Sequence, residues 1–177
     1  MDNIKKLIGE NTTCDFKEQV ERKQFKSWLK SVSAFANGFG GSLFFGVNDS
    51  GEIIGLDDAK SDTEFISDKI KNVIDPIPAF ELKTISTENH KTILDLHIIA
   101  GAMTPYYYVN SGNRIAFIRM GDESVVASSA QLSSLVLKGR NVTYDSLPTD
   151  YSLKDMTFEM LSKTYQKQTE QNFEEKL

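Results

Sequence analysis

Between Gln24 and Ala36 the apolar residues Phe25, Trp28, Leu29, Val32, Phe35 and Ala36 recur at the spacing of one helical face. Lys23, Lys26 and Lys30 fall largely off that stripe, and Asn37-Gly38 supplies the stop. The pattern then changes period. SLFFGV is nearly all apolar and predicts a buried strand, NDSG has hairpin-turn chemistry, and EIIGL predicts the returning strand. A second helix is expected from Ser61 to Val73, carried by Phe65, Ile66, Ile70 and Val73 and stopped by DPIP. ELKTIST and KTILDLHII flank a polar ENH turn, and YYYV and RIAFIRM flank NSGN, so two further hairpins are predicted, followed by a short helix over Ala127 to Lys138. Upstream, Asp15, Phe16 and Lys17 alternate as in a strand edge, with Asp15 and Lys17 on one face. These elements predict an α+β fold: a mixed, mainly antiparallel sheet with flanking helices. No 20- to 50-residue period recurs, which argues against a solenoid.

The glycines of AFANGFGGSLFFGVNDSG invite comparison with a phosphate-binding loop. Such loops run from a strand into a helix N-terminus, where N–H groups and the positive dipole end face the anion. Here Gly38, Gly40 and Gly41 follow a helix and precede a strand. They are expected to provide a left-handed C-cap and a tight entry into the sheet.

Composition narrows the classes. A 177-residue chain with 40% hydrophobic residues suits one domain with a real core, or one domain plus an appendage. Its single cysteine, Cys14, excludes an internal disulfide framework and a four-cysteine zinc site, and fits a reducing, cytoplasmic setting. The N-terminal MDNIKKLIGE lacks the apolar core of a signal peptide, and no stretch reaches the roughly 18 apolar residues that span a bilayer, so no membrane partner is expected. The formal charge of -5 means that any nucleic-acid surface must be a local one.

Glu10, Asp15 and Asp49 are the acids of interest, with Lys17 beside them. Mg²⁺ or Mn²⁺ is held by few carboxylates plus waters and phosphates, and a neighbouring ammonium steadies charge developing on a phosphoryl group, so this set suits phosphodiester cleavage. The alternative is a surface helix-end Glu10, a solvent-facing Asp15 and an Asp49 that merely forms a turn. His90 and His97 have no second ligand at metal spacing, Cys14 has no evident activator, and no Gly-x-Ser-x-Gly elbow occurs.

Several of these features occur together in a fixed order. Glu10 is followed by four residues and then an acid-Phe-Lys triplet; Ala34-Phe35-Ala36-Asn37 ends a helix; Gly40-Gly41, Gly46-Val47, Asp49-x-Gly51 and Ile54-Gly55-Leu56 follow. Asp75-Pro76 and Arg119-x-Gly121 before Ala127 complete the series, which over residues 5 to 140 resembles the Schlafen-type AlbA-like domain. The resemblance implies a nucleic-acid-binding domain of the kind found in bacterial transcriptional regulators, needing no cofactor to bind. In Schlafen proteins the module is a metal-dependent endoribonuclease, and Glu10, Asp15 and Asp49 match its three acids, which would hold Mg²⁺ or Mn²⁺. The family usually has Glu where this chain has Asp15, and the His/Cys zinc site of Schlafen proteins has no counterpart here. Schlafen nucleases grip tRNA between two copies of the module, so a homodimer is the expected way for a single copy to match them. A protein-interaction module with incidental acids is the third alternative.

A DNA or RNA surface would draw on Lys17, Arg22, Lys23, Lys26 and Lys30 around the first helix and on Arg119, Lys138 and Arg140 near the end of the domain. Tyr106, Tyr107 and Tyr108 are candidates for base stacking or simply for sheet packing. Arg119 would grip phosphate or pair with Asp122 or Glu123. Residues 1–140 are expected to form the domain. Residues 141–177 read as a polar linker and a helix opening at a Ser-x-x-Asp cap, expected to lead into a further domain of a longer regulator.

Overall fold

The computed structural model describes residues 13–141, 147 and 157–169. The elements run β1 (Cys14–Lys17), α1 (Lys26–Asn37), β2 (Gly41–Phe45), α2 (Ala59–Val73), β3 (Ile74–Asp75), β4 (Phe80–Ser86), β5 (Thr92–Ile98), β6 (Tyr107–Asn110), β7 (Asn113–Met120), β8 (Glu123–Val126), α3 (Ser129–Gly139) and α4 (Glu159–Thr169). The chain divides into two compact units, Met1–Thr143 and Tyr144–Leu177, and among these elements only α4 lies in the second.

The fold is α+β, with two four-stranded sheets rather than one: β1-β2-β5-β4 and β3-β6-β7-β8. The β1–β2 pair is parallel, and the remaining named pairs are antiparallel. Of the three predicted hairpins the two later ones, β4–β5 and β6–β7, form in the expected places. EIIGL does not form a strand. It makes one isolated Val47–Ile53 bridge; Asn48 and Gly51 turn the chain tightly, the Ile54 and Gly55 N–H groups then both bond the Gly46 carbonyl (2.8 and 2.9 Å), and Leu56 donates to the Thr92 carbonyl of β5 (2.8 Å).

Helix α1 is the centre of the domain, packing on β2 and β5 of one sheet and on β6, β7 and β8 of the other. Trp28, Leu29, Val32, Phe35, Leu43, Phe45, Leu94, Leu96 and Ile98 are fully buried around it. Each such side chain contributes on the order of 1.5–3 kcal/mol by leaving water. An amphipathic helix would show its polar side to solvent, yet Ser31, Ser33 and Asn37 are buried too because the second sheet covers that side. Their polar atoms become staples. Asn37 donates from Nδ2 to the Tyr106 and Phe117 carbonyls (3.0 and 2.9 Å), and its Oδ1 accepts the Tyr106 N–H at 2.7 Å. The Ser33 hydroxyl donates to the Tyr106 carbonyl and accepts the Phe117 N–H, at 2.7 and 3.1 Å.

At the end of α1 the left-handed residue is Gly40 (φ 82°), not Gly38 (φ -96°). The Gly38 and Gly40 N–H groups both bond the Phe35 carbonyl, at 3.1 and 3.0 Å. A Cβ on Gly41 would sit 2.5 Å from the Phe35 ring and 2.6 Å from the Thr13 carbonyl oxygen, so this glycine lets β1, β2 and α1 approach closely. Helix α2 starts at Ala59, two residues earlier than its apolar spacing implies, because Asp58 caps it by accepting the Ser61 N–H at 3.0 Å. Helix α3 starts later than expected, after a Ser128–Gln131 capping box. The Ser-x-x-Asp cap expected for α4 lies outside the described residues.

Candidate nucleic-acid interface

β1 carries Asp15 and Lys17 on the side of the first sheet that meets α1. The expected shared face is observed: Lys17 Nζ donates to Asp15 Oδ1 at 2.7 Å. Asp15 is not a solvent-facing strand residue; it is 9% exposed. Its Oδ2 accepts the Ser31 hydroxyl at 2.6 Å, and Ser31 Oγ in turn accepts from the Ser124 hydroxyl at 3.1 Å. Arg119 completes the series, donating to Ser124 Oγ at 3.1 Å and to the Cys14 carbonyl at 3.3 Å while its guanidinium lies 5.0 Å from the Phe35 ring centroid. A carboxylate, two hydroxyls and two cations thus join β1, α1, β7 and β8. Sequence spacing gave no hint of Ser31 or Ser124, because both are separated from Asp15 by loops and meet it only through the two-sided burial of α1.

Asp49 is exposed in the turn after β2. The turn is closed by its neighbour: Asn48 Oδ1 accepts the Glu52 N–H at 2.8 Å and Asn48 Nδ2 donates to the Glu52 carboxylate at 2.9 Å. Glu10 lies outside the described residues. Among the described residues no group of three or more His, Cys, Asp or Glu side chains is placed to hold a metal ion. The donor set for Mg²⁺ or Mn²⁺ would be Asp15 and Asp49 with Glu10, and each oxygen of Asp15 is engaged by Lys17 or Ser31.

The eight nominated cations separate by what they touch. Lys138 Nζ donates to the Asn37 and Gly38 carbonyls, both at 3.3 Å, at the negative end of α1. Arg140 is the exposed C-cap residue of α3. Arg22 donates to Asp62 at 2.7 Å and to the Ser61 hydroxyl at 2.9 Å, over the Phe65 ring. Lys23 and Lys26 are exposed, and Lys30 is half-buried. Lys26 Nζ stands 5.8 Å from the Tyr108 ring centroid and 5.9 Å from that of Phe117. Lys69, which was not among the cations expected from the sequence, stands 5.2 Å from the Phe25 centroid and 5.3 Å from that of Phe65. The amino end of α1 and the adjoining side of α2 therefore present cations seated on aromatic rings.

That helix end has a further peculiarity. Phe25 occupies the cap position without a side-chain hydrogen bond, the first turn contains no acid, and Lys26 is its first residue. Positive side chains at the positive end of a helix dipole are unfavourable in the absence of an anion. Beside it runs a groove of about 990 Å³ lined by Arg22, Lys23 and Lys91 but also by Glu18, Asp57 and Asp62, so its charge is mixed.

The tyrosines are mostly committed to packing. Tyr106 and Tyr108 are buried, their hydroxyls bonded to the Met103 N–H (3.4 Å) and Asn110 Nδ2 (3.2 Å). Tyr107 is half-buried with the Arg114 guanidinium 4.6 Å from its ring centroid. His97 shares a hydrogen bond with Ser42 at 3.0 Å, and His90 is an exposed turn residue at φ 58°. Burial pushes the Cys14 thiol above its ordinary value, the reverse of what an activated nucleophile needs.

Among the described residues no helix is long and apolar enough to cross a membrane. A stretch of 86 residues is 33% identical to an uncharacterized ATP-binding protein of Ureaplasma parvum, covering 46% of this chain and 24% of that protein. The N-terminal domain of a RecG-related protein from Nitrosomonas europaea, solved by solution NMR, aligns at a TM-score of 0.48 and 21% identity, over 71% of this chain and 90% of that one. The DIP2311 protein of Corynebacterium diphtheriae aligns at 0.49 and 21%, over 93% of this chain and 36% of its own length. The chain thus spans about a quarter of the curated relative and about a third of the corynebacterial protein. Residues 10–128, well over half of the chain and including Asp15, Asp49, α1 and the cations around it, match the model of one family, and the chain belongs to it: Schlafen, AlbA_2.

Proposed function

We propose that this domain binds nucleic acid through the amino end of α1 and the adjoining side of α2, using Lys23, Lys26, Lys30 and Lys69 with Arg22 at the margin. The observation that carries this reading is the uncapped, acid-free start of α1 with Lys26 as its first residue and Lys23 beside it. An incoming phosphate satisfies both the helix dipole and the ammonium groups, and the rings beneath Lys26 and Lys69 fix those heads at the surface. Binding is local electrostatics on a chain of net charge -5, so affinity depends steeply on salt. Within a longer protein such a domain would serve as the nucleic-acid-engaging part of a transcriptional regulator; the Ureaplasma relative, named as ATP-binding, extends well beyond the matched segment.

The test is a salt titration with a labelled oligonucleotide. Affinity of the wild-type chain should fall steeply with salt, and the Lys23→Ala/Lys26→Ala variant should show a slope of log affinity against log salt reduced by about 1–2. Equal affinity at low and high salt rejects the proposal. A second reading, a Mg²⁺- or Mn²⁺-dependent endoribonuclease using Glu10, Asp15 and Asp49, is favoured by one observation, the Lys17 ammonium held against Asp15. Metal-dependent cleavage of tRNA that disappears in Asp15→Asn while binding survives would establish that activity. No cleavage by the wild type with either metal leaves binding alone.

A further inference from the structure

Among the described residues β4 is one of the two edges of the first sheet, with no strand beyond it, and its charge pattern is self-complementary. We propose that two copies of this chain associate by antiparallel pairing of β4 with β4 about a two-fold axis at Leu82, giving a continuous sheet in the order β1-β2-β5-β4-β4-β5-β2-β1.

The backbone sets which groups are available. Ile99 donates its N–H to the Ala79 carbonyl (3.0 Å) and Thr87 donates to the Lys91 carbonyl (2.9 Å). With the β4–β5 register, these bonds turn the main-chain groups of the odd-numbered residues, Glu81, Lys83 and Ile85, toward β5. The N–H and C=O groups of Phe80, Leu82, Thr84 and Ser86 therefore point outward, and among the described residues no strand lies beyond them. A seven-residue edge of this kind is a template for another strand.

The side chains select the partner and the register. Glu81 and Lys83 lie on the same face, with Lys83 Nζ 2.8 Å from Glu81 Oε2 and both side chains more than half exposed. An antiparallel axis on Glu81 or on Lys83 would place like charges directly opposite, which is destabilising. An axis on Leu82 places each Glu81 opposite the other copy's Lys83, twice, at positions where the new ladder has no hydrogen bonds and side chains are closest. The same register exchanges about six backbone hydrogen bonds, through Leu82 with Leu82 and Phe80 with Thr84. It also sets Ile85, 40% exposed, opposite the other copy's Ala79 and covers the partly buried Phe80 and Leu82. The complementarity lies within β4 itself, so the occupant it fits is a second copy of this chain rather than an unrelated strand.

The experiment is sedimentation of the full 177-residue chain, free of nucleic acid, over a concentration series at low and moderate salt. Wild type should show a monomer–dimer equilibrium that weakens with salt. Glu81→Lys and Lys83→Glu should each raise the dissociation constant by about tenfold or more, since each puts two like-charge pairs across the axis, and the double reversal should restore it to within about threefold. Thr84→Pro removes an outward N–H that β5 does not use, so it should keep the fold, checked by circular dichroism, and lose the dimer. A wild type that is monomeric at every concentration overturns the proposal. So does a dimer indifferent to all of these substitutions. Either result leaves the nucleic-acid reading untouched, because β4 is not part of that surface.

Discussion

The two ends of α1 carry lysines of opposite consequence. At the carboxyl end the Lys138 ammonium reaches back from α3 to the Asn37 and Gly38 carbonyls, where the helix dipole is negative and a cation belongs. At the amino end Lys26 and Lys23 stand where the dipole is positive, with no acid in the first turn to compensate. One end meets a cation that the fold itself supplies with acceptors. The other holds an unfavourable charge arrangement that an external anion would relieve, and this contrast separates cations that hold the domain together from cations available to a ligand.

The sharpest way to test the first half of the comparison is Asn37→Ala. It deletes three hydrogen bonds to the backbone of Tyr106 and Phe117 and leaves a buried N–H and two carbonyls without those partners. A loss of about 3 kcal/mol or more is expected in denaturant unfolding. A loss under about 1 kcal/mol would show that the carboxyl end of α1 does not anchor the second sheet.

What the sequence could and could not reveal follows from the same helix. Its apolar stripe, the hairpin turns and the strand–turn–strand register are local patterns, and α1, α2, β4–β5 and β6–β7 were all legible from them. The second sheet was not. A helix covered on both sides looks amphipathic when its second buried face uses serine and asparagine, so the burial of Ser31, Ser33 and Asn37 is evident only once β6, β7 and β8 are placed over them. Of the candidate site, the pairing of Asp15 with Lys17 was readable because residues two apart on a strand share a face. The engagement of Asp15 by Ser31 was not, and neither was Lys69, whose ring contacts depend on how α2 meets α1. Arg119 was read as a phosphate grip or a partner of adjacent acids; its bonds to Ser124 and to the Cys14 carbonyl join elements far apart in sequence and were not readable from spacing.

A milder test concerns Lys138→Ala. The lysine is exposed, its two bonds are long, and the carbonyls it meets can be solvated in its absence, so the cost is expected to be only about 0.5–1 kcal/mol. Nucleic-acid affinity and its salt slope should stay as in the wild type. A variant that binds markedly more weakly while unfolding normally would move Lys138 to the ligand-facing group and blur the distinction between the two ends.

The smallest stability effect, and the most telling, is expected from Lys26→Glu. An acid in the first turn of a helix gains about 0.3–1 kcal/mol from the dipole. Against this, the substitution forfeits the ammonium over the Tyr108 and Phe117 rings, worth about 0.5–1 kcal/mol at an exposed site. The two nearly cancel, so the free energy of unfolding should change by no more than about 0.5 kcal/mol in either direction. Binding has no such cancellation, because the change replaces an attraction for phosphate by a repulsion at the same place. Oligonucleotide affinity should fall by about tenfold or more at low salt, and the loss should shrink as salt is raised and screening takes over. Measured together, an unchanged unfolding curve and a collapsed low-salt affinity would mark the amino end of α1 as a surface kept for a ligand. An unchanged affinity would place the ligand elsewhere and reduce Lys26 to a lysine packed on two rings.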